Sequence, residues 1–294
     1  ASPGCWVAFK GRTKRGEAVD LSGADPLDAV PLLTPAWGRP PWADRWGKAW
    51  VSAVDGGRVR ACVVVPVRHG KTFTFAAMAA WALAREPGRT IAFLTYNQKL
   101  TDRFSRVCRN YATAAGVELS PDHNRIEEWR TTSGGGLLCS AVNGPITGFG
   151  ADLIVIDDPI KGREDAESEG IRDKTWDWIT DDVYTRLEPT ASMFVLGARW
   201  HEDDPIGRVL RGDLRGEEWD LIHYRAIETD DLGLEYALWP ERFSLPELQK
   251  RREAFGGPES RTWLSLYQGE PRPSEGSLFR GATYAGADWP EFKE

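Results

Sequence analysis

The segment Val63-Val-Val-Pro-Val-Arg-His-Gly-Lys-Thr72 joins an apolar run to a helix-forming stretch through a short loop that ends in Gly-Lys-Thr. That order builds a phosphate cradle. Backbone N–H groups of the turn and the N-terminus of the following helix point at an anion, where the helix dipole favours negative charge. Pro66, Val67, Arg68, His69, Gly70, Lys71 and Thr72 are the candidate nucleotide-binding residues of this loop. Lys71 has the position that reaches β- and γ-phosphates, and the Thr72 hydroxyl the position that holds Mg²⁺. Gly70 lets the backbone approach closely, and Arg68 adds a second fixed positive charge. His69 has no nameable partner and reads as structural. The loop departs from Gly-x-x-x-x-Gly-Lys-Ser/Thr, because Val65 stands where the first glycine would and Pro66 removes an N–H. The alternative is an ordinary strand-to-helix connection that holds Gly-Lys-Thr by chance; its place after a buried strand argues against that.

Roughly 80 residues further on, Gly148-Phe-Gly-Ala-Asp-Leu-Ile-Val-Ile-Asp-Asp-Pro159 is an apolar strand ending in paired carboxylates. In a P-loop NTPase such a strand lies beside the phosphate loop, with its first acid, here Asp157, holding Mg²⁺ through the water shell. The second, Asp158, is placed to orient and deprotonate an attacking water. Two acids at a strand end are by themselves a common solvated terminus, but a phosphate loop and an acid pair in one chain expect each other. Met193-Phe-Val-Leu-Gly-Ala-Arg-Trp-His-Glu-Asp-Asp204 is another apolar strand with a polar end. Its Arg199 either senses a γ-phosphate or pairs with Glu202, Asp203 or Asp204. The candidate catalytic residues are therefore Asp158, Lys71, Arg68 and Arg199, and the candidate Mg²⁺ ligands Thr72 and Asp157. The acid-rich stretch from Glu164 to Asp182 runs through an expected helix and its flank, which reads as a solvated face rather than a nuclease centre.

These groups need a scaffold that brings strand ends together. An apolar stripe at Trp42, Trp46, Ala49, Trp50 and Ala53 has helical spacing and ends at Asp55-Gly56-Gly57. Short apolar runs then alternate with amphipathic stretches. Strands are expected at 61–65, 91–95, 136–141, 153–157, 193–197 and 219–224, and helices at 71–85, 100–111, 170–182, 203–211, 246–255 and 259–268. Pro87-Gly88 stops the first of these helices, and Gly116 sits where a C-cap would follow the second. Such alternation implies an α/β fold, a mainly parallel sheet sandwiched by helices, with its ligand beyond the carboxyl ends of the strands. The first ~35 residues, rich in Gly, Pro and charge, read as an irregular arm.

Composition narrows the function classes. With 294 residues, 41% hydrophobic and 28% charged, the chain is an ordinary globular protein of one large or two modest domains. No window approaches the ~18 apolar residues of a membrane-spanning helix, and no secretion signal is visible, so a soluble intracellular protein is expected. The four cysteines, Cys5, Cys62, Cys108 and Cys139, form no CxxC pair, which excludes a zinc module and leaves reduced thiols. A net charge of −7 argues against a protein that coats nucleic acid through a global positive field, but allows local basic loops. The 14 tryptophans are scattered and read mostly as core anchors.

The ordered motifs Pro66 to Thr72, Thr95-Tyr-Asn97, Thr147 to Ile160 and Ala198-Arg-Trp-His-Glu-Asp-Asp204 resemble the large terminase subunit of tailed double-stranded DNA bacteriophages. Leu238-Trp-Pro-Glu-Arg-Phe243 and Leu266-Tyr-Gln-Gly-Glu-Pro271 extend the resemblance across about residues 35 to 280. It implies a P-loop NTPase of the ASCE type with a small lid subdomain, an ATPase that uses ATP and Mg²⁺ to drive double-stranded viral DNA into a prohead. The implied partners are the portal protein and the small terminase subunit. A homo-oligomeric ring on the prohead, monomeric in solution, acting in the host cytoplasm without a membrane, also follows from the resemblance. So does a division into an N-terminal arm with an adenine-side helix (1–58), an ATPase core (59–228), a lid (229–270) and a linker (271–294). An RNase H-like nuclease is normally fused behind, and too few residues follow 275 to hold one, so the ATPase half alone is expected.

Against the family pattern, Asp158 replaces a more usual glutamate, leaving a water or Glu164 to complete the site, and Ala198 stands where a hydroxyl residue is common. Phe149 replaces an arginine, which moves any arginine acting on a neighbouring subunit's site to Arg125, Arg130 or Arg163. No glutamine matches the adenine reader; Arg39 or Trp42 can stack on a base, although Trp42 also suits the core. Two other functions share these motifs: a helicase-like translocase, and a nucleotide-binding assembly module that does not hydrolyse.

Overall fold

The computed structural model describes residues 18–273 apart from 22, 145 and 147. The expected arm over 1–17, with Cys5, the expected linker beyond 273, and Thr147 of the resemblance lie outside the described residues. In chain order the elements are α1 (Ala29–Leu33), α2 (Asp44–Val54), β1 (Arg60–Val64), α3 (Lys71–Arg85), β2 (Thr90–Thr95), α4 (Gln98–Ala114), β3 (Leu119–Asn124), β4 (Glu128–Thr131), β5 (Gly136–Ala141) and β6 (Ala151–Asp157). There follow α5 (Arg163–Glu167), α6 (Glu169–Asp177), β7 (Leu187–Gly197), α7 (Pro205–Leu210), β8 (Asp220–His223), β9 (Ile227–Thr229), β10 (Glu235–Ala237), α8 (Leu245–Ala254) and α9 (Arg261–Trp263). Wider π-helical turns at Trp178–Val183 and Leu264–Gln268 extend the ends of α6 and α9.

Eight strands form one sheet in the order β3-β4-β5-β2-β6-β7-β1-β8. From β5 to β8 every pairing is parallel, and β4 and β3 add an antiparallel edge. The parallel strands are near-continuous apolar runs because both faces are covered. Ala61, Val63, Phe93, Val155, Phe194 and Leu196 face one core, against α2, α3 and α4, while Cys62, Val64, Leu94, Ile154, Ile156 and Val195 face a second one beneath the Trp178–Val183 turn and α7. Helix α3 is buried on every side from Thr74 to Leu83, as an apolar helix sandwiched between a sheet and the helices α1, α2 and α4 must be.

The strand order is that of the ASCE type. The acid strand β6 does not lie beside the loop strand β1; β7 is inserted between them and pairs with both. This is the additional strand of the ASCE type, and the acids reach the loop across its end. Register aligns the ends: Thr95 lies opposite Asp157, Asp157 opposite Leu196, and Val64 opposite Gly197. All four strands therefore empty into one crevice.

A third, smaller core belongs to a subdomain of β9, β10, α8 and α9, where Ile227, Phe243, Leu248, Trp263 and Tyr267 pack together. Val67 of the phosphate loop packs against it. Cys62, Cys108 and Cys139 are buried and unpaired. Among the described residues no helix is long and apolar enough to cross a membrane.

Tryptophan anchors tie the layers together. Trp50 of α2 is fully buried, its ring 5.2 Å from Phe75 and 5.4 Å from Phe194, and its indole N–H donates to the Met78 carbonyl at 3.1 Å. Truncating it opens a cavity and removes a second hydrogen bond to that helical carbonyl, so Trp50→Ala should cost about 3–5 kcal/mol. Urea unfolding monitored by circular dichroism measures this, and a loss below about 1 kcal/mol would contradict the packing described.

Candidate active site

The loop after β1 turns sharply because two of its residues are left-handed, Arg68 at φ 63° and Gly70 at φ 85°. Gly70 immediately precedes α3, and a Cβ there would collide with the Trp37 ring, so close approach and backbone conformation both require glycine. The loop is pinned from outside. Val67 N–H donates to the Leu266 carbonyl at 3.0 Å, and Arg242 Nε donates to the Arg68 carbonyl at 2.6 Å. The first N–H groups of α3 have no acceptors within their own helix and open toward the crevice.

Lys71 heads α3. Its Nζ lies 2.6 Å from Asp157 Oδ1 and 2.7 Å from Asp158 Oδ2, at the end of β6. The Thr72 hydroxyl donates to Asp157 Oδ2 at 3.1 Å. Burial disfavours charge on Lys71, but the two carboxylates outweigh it and hold the ammonium above its usual pKa. The same burial raises the Asp157 carboxyl, with Lys71 and Thr72 pulling it the other way. Asp158 has a left-handed backbone at φ 47°. Both neighbouring strand ends fix it: its N–H donates to the Leu196 carbonyl at 2.9 Å, and its Oδ1 accepts from Ala198 N–H at 3.2 Å. The backbone N–H at Ala198 makes this contact without the hydroxyl that residue lacks. Glu164 is exposed in the first turn of α5, and the carboxylates that pair with Lys71 are those of Asp157 and Asp158.

Beside the acids opens a cavity of about 100 Å³, lined by Thr72, Phe73, Thr95, Arg103, Asp157 and Asp158 among others. Its polar wall holds the hydroxyls of Thr72 and Thr95, the two carboxylates and the Arg103 guanidinium; the oxygens of Thr72 and Asp157, hydrogen-bonded to each other, are hard donors of the kind Mg²⁺ prefers. Among the described residues no three or more His, Cys, Asp or Glu side chains are grouped so as to hold a metal ion by themselves. A Mg²⁺ site here thus fits the mode that takes one or two protein oxygens and completes itself with phosphates and water.

The sequence profile of the terminase large subunit, T4-like-virus-type, N-terminal, matches residues 62–286. The chain belongs to this family. No curated protein matches it. Among solved structures, the large terminase of bacteriophage HK97 aligns at 14% identity with a TM-score of 0.52, over 80% of this chain and 52% of that one. The chain thus spans about half the length of the HK97 protein. The ATPase domain of the Thermus phage P74-26 large terminase aligns at 14% identity and a TM-score of 0.44, over 73% of this chain and 88% of that one. A yeast DEAD-box splicing factor, Prp28, aligns at 11% and 0.41, over 74% and 56%. The likeness to HK97 is one of fold, and the sheet order makes that fold a P-loop NTPase of the ASCE type.

Within this terminase fold the other sequence candidates separate. Arg199 is buried and donates from Nε to both oxygens of Asp204 at 2.9 Å, the pairing alternative rather than a free sensor. Arg68 keeps an exposed side chain beside the loop. Trp42 is buried 5.0 Å from Tyr224, and Arg39 pairs with Asp25, Asp28 and Asp44, so both are engaged away from the crevice. Phe149 is buried beneath the Arg130 guanidinium at 5.3 Å, Arg130 pairs with Glu128, and Arg163 donates to Ser265 and packs on Trp200. Arg125 stays exposed in the β3–β4 turn. Sequence reasoning missed Trp37, which covers Gly70, packs 5.1 Å from Phe73 and carries the Arg242 guanidinium 4.3 Å above its ring. It sits in a Pro- and Gly-rich stretch with no periodicity to mark it.

His69 is fully buried, 5.1 Å from Phe243, with Nδ1 3.1 Å from the Val67 carbonyl. Burial pushes its pKa down to about 4. The unfolded chain then binds a proton near pH 6.5 that the folded chain refuses, so stability falls as pH drops from about 6.5 to about 4, by on the order of 3 kcal/mol. His69→Phe should flatten that part of the pH–stability profile. An unchanged slope in urea titrations of the variant would show that His69 is already protonated in the folded loop.

Proposed function

We propose that the chain is the ATP-hydrolysing motor domain of a viral terminase large subunit, driving translocation of double-stranded DNA into the prohead. The observation that carries this reading is the ammonium of Lys71, at the head of the phosphate-loop helix, held between the two carboxylates at the end of β6. ATP entering the crevice lays its phosphates on the N-terminus of α3 and offers Lys71 oxygens of higher charge than either carboxylate. Lys71 then turns to the β- and γ-phosphates. Pro66, Val67, Arg68, His69 and Gly70 form the cradle. Thr72 and Asp157 would hold Mg²⁺, which would supply positive charge to neutralise the phosphates.

Asp158, released by Lys71 but still held by Leu196 and Ala198, orients a water in the adjoining cavity. As the water oxygen bonds to the γ-phosphorus and the bond to the bridging oxygen breaks, Asp158 takes the water proton. Arg199, locked to Asp204, acts through the position of the loop after β7. The division into arm (1–58), core (59–228), lid (229–270) and linker (271–294) belongs to this reading. So do the portal protein, the small terminase subunit, a homo-oligomeric ring and action in the host cytoplasm.

Replacing Lys71 by Ala should abolish hydrolysis. Asp157→Asn should weaken Mg²⁺-dependent nucleotide binding, whereas Asp158→Asn should lower turnover by roughly 10²–10⁴ and leave ATP affinity near wild type. Fluorescent-nucleotide titration and phosphate release separate the two; an Asp158→Asn protein that loses affinity but not turnover would remove the base role. Wild-type ATP binding without phosphate release would favour the assembly-module alternative.

In a ring, charge on the γ-phosphate can also come from a neighbour. Of the three candidates Arg125 alone has no side-chain partner among the described residues. ATPase activity per subunit should rise with protein concentration, and mixing Arg125→Ala with Lys71→Ala should restore part of it. Concentration-independent activity that only Arg68→Ala removes would place the second charge in cis.

A further inference from the structure

We propose that the exposed face of α4 is a contact surface for the phosphate backbone of duplex DNA, a proposal that rests on the DNA-motor reading above. Helix α4 buries Thr101, Phe104, Ser105, Cys108, Tyr111 and Ala112. On the other side Lys99, Arg103, Arg106 and Asn110 follow one another at spacings of four, three and four, which places them in one strip along the helix. Asp102, the single acid of α4, lies to the side of this strip and accepts from Gln98 Nε2 at 2.8 Å.

The chain is acidic, and several of its helical arginines are paired with carboxylates: Arg208 with Asp173 and Asp203, Arg251 with Glu247, Arg252 with Glu235, while Arg45 of α2 donates to the Leu221 carbonyl. The side chains of Lys99 and Arg106 have no such partner among the described residues, and both are exposed. Asp102, three residues after Lys99 and four before Arg106, gives its carboxylate to Gln98, which leaves these two exposed cations of one strip facing solvent. A polyanion would pair with both. From Lys99 to Arg106 the strip runs about 10 Å. Phosphates of one DNA strand recur about every 3.4 Å of axial rise while winding about the axis, so two cations about 10 Å apart can each meet a phosphate of the same duplex. Contacts to phosphate carry no sequence information, which suits a motor that must move any sequence.

The helix is also placed to report such contacts to the crevice. It starts at Asn97, just past Thr95, which lies opposite Asp157 in the sheet. Arg103, half-buried, lines the same cavity as Asp157 and Asp158. The strip thus begins where the hydrolytic site ends.

The test is fluorescence anisotropy of the whole chain with a labelled random-sequence duplex over a series of salt concentrations. Lys99→Gln/Arg106→Gln is compared with Lys48→Gln/Lys250→Gln, an equal charge change at exposed positions of α2 and α8. Each lost phosphate contact should flatten the slope of log affinity against log salt by about 0.9, so the α4 variant should be shallower by about 2 and weaker by on the order of tenfold near 0.1 M salt. The control should stay near wild type, and DNA-independent ATP hydrolysis should be unchanged in both. If wild type binds DNA and the α4 variant binds with the same slope, or both variants weaken equally, the α4 surface is wrong while the DNA reading stands. If wild type fails to bind duplex even at low salt, the DNA reading falls and takes this surface with it.

Discussion

One ammonium between two carboxylates, all at the mouth of a buried crevice, is an arrangement that water would normally dissolve. Here Lys71 and Asp157 are nearly out of solvent, with side-chain exposures of 11% and 7%. Removing Lys71 leaves Asp157 an uncompensated buried charge, at a typical cost of about 3–5 kcal/mol, whereas Asp158, with 37% of its side chain exposed, is the looser member. The triad is therefore strongly held yet poised to re-pair with any anion that binds Lys71 better than a carboxylate does. The surrounding architecture supplies its three components. Helix α3 brings Lys71 and Thr72, β6 brings the acids, and the inserted β7 fixes Asp158 through Leu196 and Ala198.

The second constraint comes from the small subdomain. Its contacts with the phosphate loop run through Val67 to Leu266 and through Arg242 to the Arg68 carbonyl, while Trp37 closes the loop's outer wall against Gly70. Arg242 serves both devices, since its guanidinium also rests on the Trp37 ring. Loop conformation and subdomain position are in this way one structural variable, which gives a change at the phosphates a direct route to the rest of the chain.

Much of this was legible in the sequence, for physical reasons that differ by element. Helix α3 and strand β5 fall at their expected bounds, because Gly70 and Pro87-Gly88 punctuate the one and Gly136 opens the other. The β3–β4 hairpin was not legible: Leu-Ser-Pro-Asp-His-Asn is polar, exposed and lacks alternation, and it pairs irregularly at an edge. Strand β7 begins at Leu187 rather than Met193 because its first turn outside the core carries Glu188, Pro189 and Thr190, which no apolar pattern marks. The short β9 and β10 belong to a subdomain whose core is assembled from distant segments. The acids and the loop were paired by motif logic, but the strand between them, the Arg199–Asp204 lock and the cover supplied by Trp37 depend on contacts across the chain that spacing does not encode.

The central claim is that ATP takes Lys71 from its two carboxylates. The most direct measurement is a crystal structure of the chain with Mg²⁺ and a non-hydrolysable ATP analogue in the crevice. Lys71 Nζ should then lie within hydrogen-bond reach of the β- and γ-phosphate oxygens and beyond that reach of Asp158, with a water on Asp158 Oδ2. Nucleotide bound while Lys71 remains 2.6 Å from Asp157 and 2.7 Å from Asp158 would contradict it.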